Sequence, residues 1–213
     1  MSEFTLWGMA GSPLVRAAAM MLVEKSADWR FVLVPAAELR SADNLARHPF
    51  GRAPSFAHGD FALYETHAIL RYLDAVLPAP ALQPADPRAR ARMDQVMAMH
   101  DWYVFPSAVG GIGFQRVAAP VLGLSTDEAA IAAALPKACL AMREIARLKG
   151  GAPYLAGDAI SLADILLAPG LALVASTPEA EALFEGTDLP DWLARMAARA
   201  SMTATTRAAL MAR

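Results

Sequence analysis

The sequence predicts two architectures in one chain: an α/β segment of order βαβαββα, then an all-α helical segment. Three observations lead there. Strand-length apolar runs alternate with helix-period runs from Phe4 to Leu77. Pro78, Pro80, Pro84 and Pro87 then punctuate the chain. Beyond them every patterned stretch has a helical period. Composition agrees. The chain is 56% hydrophobic but only 8% aromatic, so alanine and other small or aliphatic side chains make up the balance, and alanine is the best helix former.

Each element follows from its residues. Phe4-Thr5-Leu6-Trp7 is a β-rich run ended by Gly8. The turn Ala10-Gly11-Ser12-Pro13 leads into a helix from about Leu14 to Glu24, with Pro13 in the first turn, where its missing N–H would have been unpaired anyway. Phe31-Val32-Leu33-Val34 reads as a second strand. Ser41 is placed to cap a short helix ending at Arg47. Ala53–Ala57 and Phe61–Tyr64 flank the turn His58-Gly59-Asp60, a hairpin pattern. From Glu65 the period switches, and Ile69, Tyr72, Leu73, Val76 and Leu77 share one helical face. The expected division is residues 1–78, a proline-rich linker at 79–87, and a helical domain at 88–213. In that domain Asp86-Pro87 opens a long helix carrying Met93, Val96, Met97 and Trp102. Thr126-Asp127-Glu128 opens another that ends at Gly150-Gly151, a third begins at Ser161, and a last begins near Pro190 and carries Trp192, Leu193 and Met196.

Several function classes are excluded early. With 19 Lys+Arg against 21 Asp+Glu the net charge is -2, without the basic surplus of a nucleic-acid binder. Cys139 is the single cysteine, so there is neither an internal disulfide nor a Cys-rich metal site, and a reducing cytoplasmic compartment is expected. His48, His58, His67 and His100 are scattered, none at metal-ligand spacing with another, and no metal is expected. The longest apolar stretch, Ile165–Ala175, contains Pro169 and Gly170 and falls short of the roughly 20 residues of a membrane span. It is expected as a buried helix. The residues Met1 to Thr5 lack a basic region followed by an apolar run, so no secretory signal is expected.

Four segments bear on chemistry. In His48-Pro49-Phe50-Gly51-Arg52-Ala53-Pro54, proline precedes a strand. A cis bond there would turn the Ala53 backbone outward for an extended ligand; a trans turn is the alternative, since only about 5–6% of X-Pro bonds are cis. Glu65-Thr66 opens a helix, which fits either plain capping or a carboxylate site at the helix N-terminus with Glu65 accepting from an ammonium. Ser12 precedes a helix and is an N-cap candidate. Trp7 reads as core. Ile160-Ser161-Leu162-Ala163-Asp164-Ile165 fits a capping box with a hydrophobic staple, a folding device.

Taken together these residues resemble the soluble glutathione transferases over nearly the whole chain. The resemblance rests on Leu6-Trp7-Gly8 followed by Ser12-Pro13, on the run from His48 to Pro54, and on Glu65-Thr66-His67-Ala68-Ile69-Leu70-Arg71-Tyr72-Leu73. It continues with Ser161-Leu162-Ala163-Asp164 and Trp192-Leu193-Ala194-Arg195-Met196. It implies a thioredoxin-like N-terminal domain, an all-helical C-terminal domain and a homodimer. It implies that Pro54 is cis, that the Ala53 backbone pairs with the cysteinyl part of glutathione, and that Glu65 and Thr66 hold the γ-glutamyl end. The spacing around Ser12 is most similar to the serine-type phi or theta-like branches, in which that serine is catalytic. The branch has a His-Lys pair where this chain has Leu39 and Arg40, so Arg40 is left for the glycyl carboxylate. Arg52 stands where a glutamine is usual, and His48 replaces an asparagine. The catalytic tyrosine of other branches would fall near Trp7, and the thiol-exchange branches need a cysteine that the first turn lacks.

The resemblance implies transfer of glutathione, as co-substrate and with no cofactor, to a small apolar electrophile. Met9, Trp102 and Phe105, with Phe114 beside them, are the apolar candidates for that second substrate; an interdomain core is the alternative. A glutathione-dependent peroxidase on the same site, a binding protein without turnover and a dimerisation module are the rival functions.

Overall fold

The computed structural model describes residues 3–213, so Met1 and Ser2, on which the expectation of no secretory signal partly rests, lie outside it. Two compact units are present. One runs to Leu82 and is rejoined by Ala198–Arg213; the other is Gln83–Ala197. The boundary falls within the proline-rich segment, and the last helical turns belong with the α/β unit.

The first unit contains β1 (Phe4–Gly8), α1 (Pro13–Glu24), β2 (Trp29–Leu33), α2 (Ala42–Arg47), β3 (Ser55–His58), β4 (Phe61–Tyr64) and α3 (Thr66–Val76). The predicted βαβαββα order is present, and with it the thioredoxin-like domain that the resemblance implied. The sheet order is β2-β1-β3-β4, with β2 parallel to β1 and β3 antiparallel to both neighbours. β2 begins two residues before the apolar run suggested, because Trp29 is buried opposite Phe4 while Arg30 interrupts the pattern. α1 is buried at every position from Ala17 to Leu22, as a helix that is apolar all round must be. In α3 the buried stripe is Ile69, Leu70 and Leu73; Val76, at the helix end, is exposed and not on the core face as expected.

The residue after α1 fastens the proline-rich segment. Lys25 Nζ donates to the carbonyls of Pro78 (3.1 Å) and Pro80 (2.6 Å) and pairs with Asp74 Oδ1 at 2.8 Å. The same carboxylate oxygen accepts from Leu82 N–H at 2.9 Å. Both side chains are almost wholly buried.

Two helices that the sequence did not announce, α10 (Ala200–Ala204) and α11 (Arg207–Met211), complete this unit. Glu24, the last residue of α1, accepts from Arg199 Nε and Nη2 at 2.7 Å each and from Ser201 Oγ at 2.5 Å. Arg16 donates to the carbonyls of Thr205 (2.8 Å) and Met202 (3.2 Å). The tail is thereby held along α1.

The second unit is all helix. α4 (Pro87–Met99), capped by Asp86, continues as a π-helical stretch His100–Ala118 around Pro106 and ends in the single turn α5 (Ala119–Val121). α6 (Glu128–Lys149), α7 (Leu162–Val174), α8 (Ala180–Phe184) and α9 (Leu189–Ala197) follow. α7 is buried from Leu162 to Leu171, as its apolar run required. Trp102, expected on the buried face with Met93, Val96 and Met97, is instead 76% exposed: helical phase changes where α4 passes into the π stretch. Among the described residues no helix is long and apolar enough to cross a membrane.

Candidate functional site

The sheet gathers most of the sequence-predicted residues at one end. β1 runs toward Gly8 and the Ser12 turn, β4 runs toward Glu65, and β3, antiparallel to both, begins there with Ser55 after Pro54. Trp7 pairs with Ser55, and Ser55 with Tyr64, so the Ser12 turn, Pro54 and Glu65 leave the sheet side by side. Gly8 is required at this corner: a Cβ there would lie 2.4 Å from Val15 Cγ2, so only glycine lets β1 and α1 approach this closely.

Ser12 caps α1. Its Oγ accepts from Val15 N–H at 3.4 Å, its N–H donates to Met9 O at 3.0 Å, and its carbonyl accepts from Arg16 N–H at 2.9 Å. A hydroxyl has one proton to give besides two lone pairs, so capping leaves the Ser12 O–H able to donate to a further acceptor. No acidic side chain lies in the first turn of α1, and the positive end of the helix is not offset there. Trp7 is only half-buried, with the Arg47 guanidinium 5.6 Å from its ring centroid, and is not simple core.

The Ala53–Pro54 bond is cis, as the resemblance implied. Pro54 is buried and Ala53 half-buried. Arg40 and Arg52 are both exposed and come together around Gly51: with φ +63° there, a Cβ would lie 3.2 Å from Leu39 O and 3.4 Å from Arg40 Cγ. Asn44 holds these loops from below. Its Nδ2 donates to Leu39 O (2.8 Å) and Arg52 O (3.2 Å), and its backbone N–H is capped by Ser41 Oγ at 3.2 Å. The sequence reading missed Asn44; its only local signal was its place three residues after a cap serine.

Glu65 does not cap α3 with its side chain, so plain capping is not its role. Its backbone takes φ +70°, a left-handed value that is uncommon outside glycine and concentrates at functional sites. The exposed carboxylate thus stands at the helix entrance with Thr66 buried behind it. His48, also buried, packs at a tilt against Tyr64, with ring centroids 4.9 Å apart and ring planes 36° apart. Burial pushes its imidazole below the usual histidine value, Glu65 pulls the other way, and Arg52 adds to the lowering.

Of the electrophile candidates, Met9 is half-buried in this first unit. Trp102 and Phe105 belong to the helical unit. Trp102 lines an apolar cavity of about 880 Å³ with Met99, Tyr103, Pro106, Ala134 and Leu140. Phe105 is not in its wall; its ring lies 5.6 Å from His100. Phe114 is partly exposed.

Comparison with known proteins bears on the whole chain. The family models for the glutathione S-transferase N-terminal and C-terminal domains match residues 2–75 and 116–200. The chain belongs to the glutathione S-transferase family. A glutathione S-transferase of Hyoscyamus muticus is 30% identical over 91% of this chain and 93% of its own length. Glutathione S-transferase 1 of Zea mays is 29% identical over 95% of each. Among solved structures, glutathione transferase F7 of Populus trichocarpa superposes with a TM-score of 0.85 at 25% identity, covering 95% of this chain and 97% of that one. A theta-class glutathione S-transferase of Xanthomonas axonopodis pv. citri, solved with glutathione bound, gives 0.82 at 29% identity, covering 97% and 98%. The sheet end described above is therefore part of a glutathione S-transferase N-terminal domain, and α4 to α9 form the helical partner domain of this family.

Proposed function

We propose that the protein is a glutathione transferase in which Ser12 activates the glutathione thiol for attack on a small apolar electrophile. The observation that carries this reading is the Ser12 hydroxyl at the N-cap of α1, its proton uncommitted, beside a cis Ala53–Pro54 bond and the left-handed Glu65. A free thiol has a pKa near ~8.5, so only a few per cent is thiolate at neutral pH. A hydroxyl that donates to sulfur favours the charged form, and the positive end of α1 acts in the same direction. Serine need not ionise; it gives one hydrogen bond to a negative sulfur.

The rest of the sheet end is proposed to hold the tripeptide. The Ala53 backbone, before the cis Pro54, would pair with the cysteinyl unit. Arg40 and Arg52 offer cations to the glycyl carboxylate. Glu65 would accept from the γ-glutamyl ammonium, and the N-terminus of α3 at Thr66 offers N–H groups to its carboxylate. No cofactor takes part in this reading; glutathione is the co-substrate. The test is the ultraviolet absorbance of bound thiolate as pH is raised. Ser12→Ala is expected to keep glutathione affinity, move the thiol titration upward and lower turnover with a halogenated aromatic. Unchanged turnover would remove Ser12 as the activator.

We further propose a cytoplasmic role in detoxification and a homodimer. Phe50 is 63% exposed, with Tyr64 partly exposed beside it, and an exposed aromatic knob calls for a cover. Met9, Trp102 and Phe105 are proposed to meet the electrophile. A second reading of Trp102 is favoured by one observation: Trp102 (76%) and Tyr103 (61%) are exposed at a cavity wide enough for an aromatic side chain. A chain carrying both a knob and a cavity can pair with its own copy through a self-complementary contact. Trp102→Ala separates the two. A mass falling to the monomer, by light scattering, assigns the cavity to the second copy; a raised KM for the electrophile at unchanged mass assigns it to substrate.

A further inference from the structure

Gly11 is exposed, carries no side chain and immediately precedes Ser12. The nearest atom to the place its Cβ would take is Arg207 Cδ, at 3.8 Å. The stem of Arg207 therefore lies over the Ser12 turn. Its position is held by the tail's attachment to α1 through Glu24 with Arg199 and Ser201, and through Arg16 with Thr205 and Met202. Thr206 Oγ1 caps α11 at Ala209 N–H (3.2 Å), and Leu210 is buried. The other cation of this corner, Arg16, is committed to backbone carbonyls. Arg207 is exposed and, among the described residues, makes no ion pair or hydrogen bond. No acid in the first turn of α1 offsets it.

We propose that Arg207 is a specificity-determining residue that, among electrophiles with an otherwise apolar body, selects those bearing a carboxylate one carbon away from the reacting carbon, of the α,β-unsaturated acid class. This rests on Ser12 marking the sulfur position. In the reaction the thiolate lone pair forms a C–S bond at the β-carbon, and the C=C pair moves onto the carboxylate oxygens as an ene-diolate. The α-carbon then takes a proton from water, the pair returns to make that C–H bond, and the proton given up by the thiol neutralises the hydroxide left behind. The carboxylate is thereby restored, so acceptor and product carry the same group, and a guanidinium recognises it by a charge-assisted hydrogen bond.

Binding of the product-like conjugate S-(2-carboxyethyl)glutathione and of its methyl ester, measured by calorimetry, tests this without turnover. The parent protein is expected to bind the acid about tenfold more tightly than the ester. Arg207→Gln is expected to bring the two affinities together, and Arg207→Lys to retain most of the difference. Equal binding of acid and ester by the parent, or a preference that survives in Arg207→Gln, overturns the proposal. Binding of neither conjugate overturns the glutathione-site reading, and this proposal falls with it.

Discussion

The indole Nε1–H of Trp192 donates to Asp164 Oδ1 at 2.8 Å, with both side chains fully buried. Leu155 N–H meets the same oxygen at 2.9 Å, while Ser161 N–H and Oγ–H both reach Oδ2 at 2.8 Å. The expected capping box is there, and it does more than cap. One carboxyl ties the start of α7, the loop before it and α9. Burial holds that carboxyl above the ordinary aspartate range, against the hydrogen bonds that favour its charged form. Trp192→Phe keeps most of the ring and deletes one donor, so a loss of about 1.5–3 kcal/mol is expected. Asp164→Ala strands three N–H donors and should cost more than 3 kcal/mol. Urea unfolding measures both; a Trp192→Phe midpoint equal to the parent's would show that the bond adds nothing.

Lys25 and Asp74 make a second buried junction, between the end of α1 and the proline-rich segment. Lys25→Met removes the cation that meets Asp74 Oδ1 at 2.8 Å and frees two proline carbonyls, and a loss of about 3–5 kcal/mol is expected. Urea unfolding measures it; a Lys25→Met midpoint equal to the parent's would show that this junction adds nothing to stability.

The strands, α1 and α3 were legible because their periods differ and glycine or proline marks their ends. β2 was read two residues late because Arg30 breaks an apolar pattern that Trp29 resumes. α10 and α11 were invisible for another reason: Ala200–Met211 has little apolar periodicity, and its helices hold through side-chain bonds to α1 that have no local trace. At the site, Ser12, Pro54, Glu65 and Thr66 stood in recognisable motifs. Asn44 and Arg207 did not. Each acts on residues brought close by the fold, Asn44 on the carbonyls of Leu39 and Arg52, Arg207 over Gly11.

Asn44 gives the third prediction. By holding the Leu39 and Arg52 carbonyls it fixes where Arg40 and Arg52 present their charges. Asn44→Ala removes both bonds without touching Ser12. The KM for glutathione should rise several-fold with kcat little changed, the pattern of lost uniform binding. A fall in kcat at constant KM would place the effect on the chemistry instead.

His48 gives the last. It is buried, and its Nδ1 has no partner among the described residues. Burial depresses its pKa below the usual 6.5, with Glu65 opposing and Arg52 reinforcing. The unfolded chain takes up a proton near ~6.5, where the folded protein still refuses one. The stability that His48 contributes is therefore complete above that pH and is lost as pH falls through the folded value. Urea midpoints measured from pH 7.5 down to 5 should decline, and His48→Asn should decline less steeply over the same range. Parallel profiles would assign the acid sensitivity to carboxylates such as Glu24. There burial pushes the pKa up, but the hydrogen bonds from Arg199 and Ser201 outweigh it and hold the group below the ordinary range, so its loss falls at lower pH.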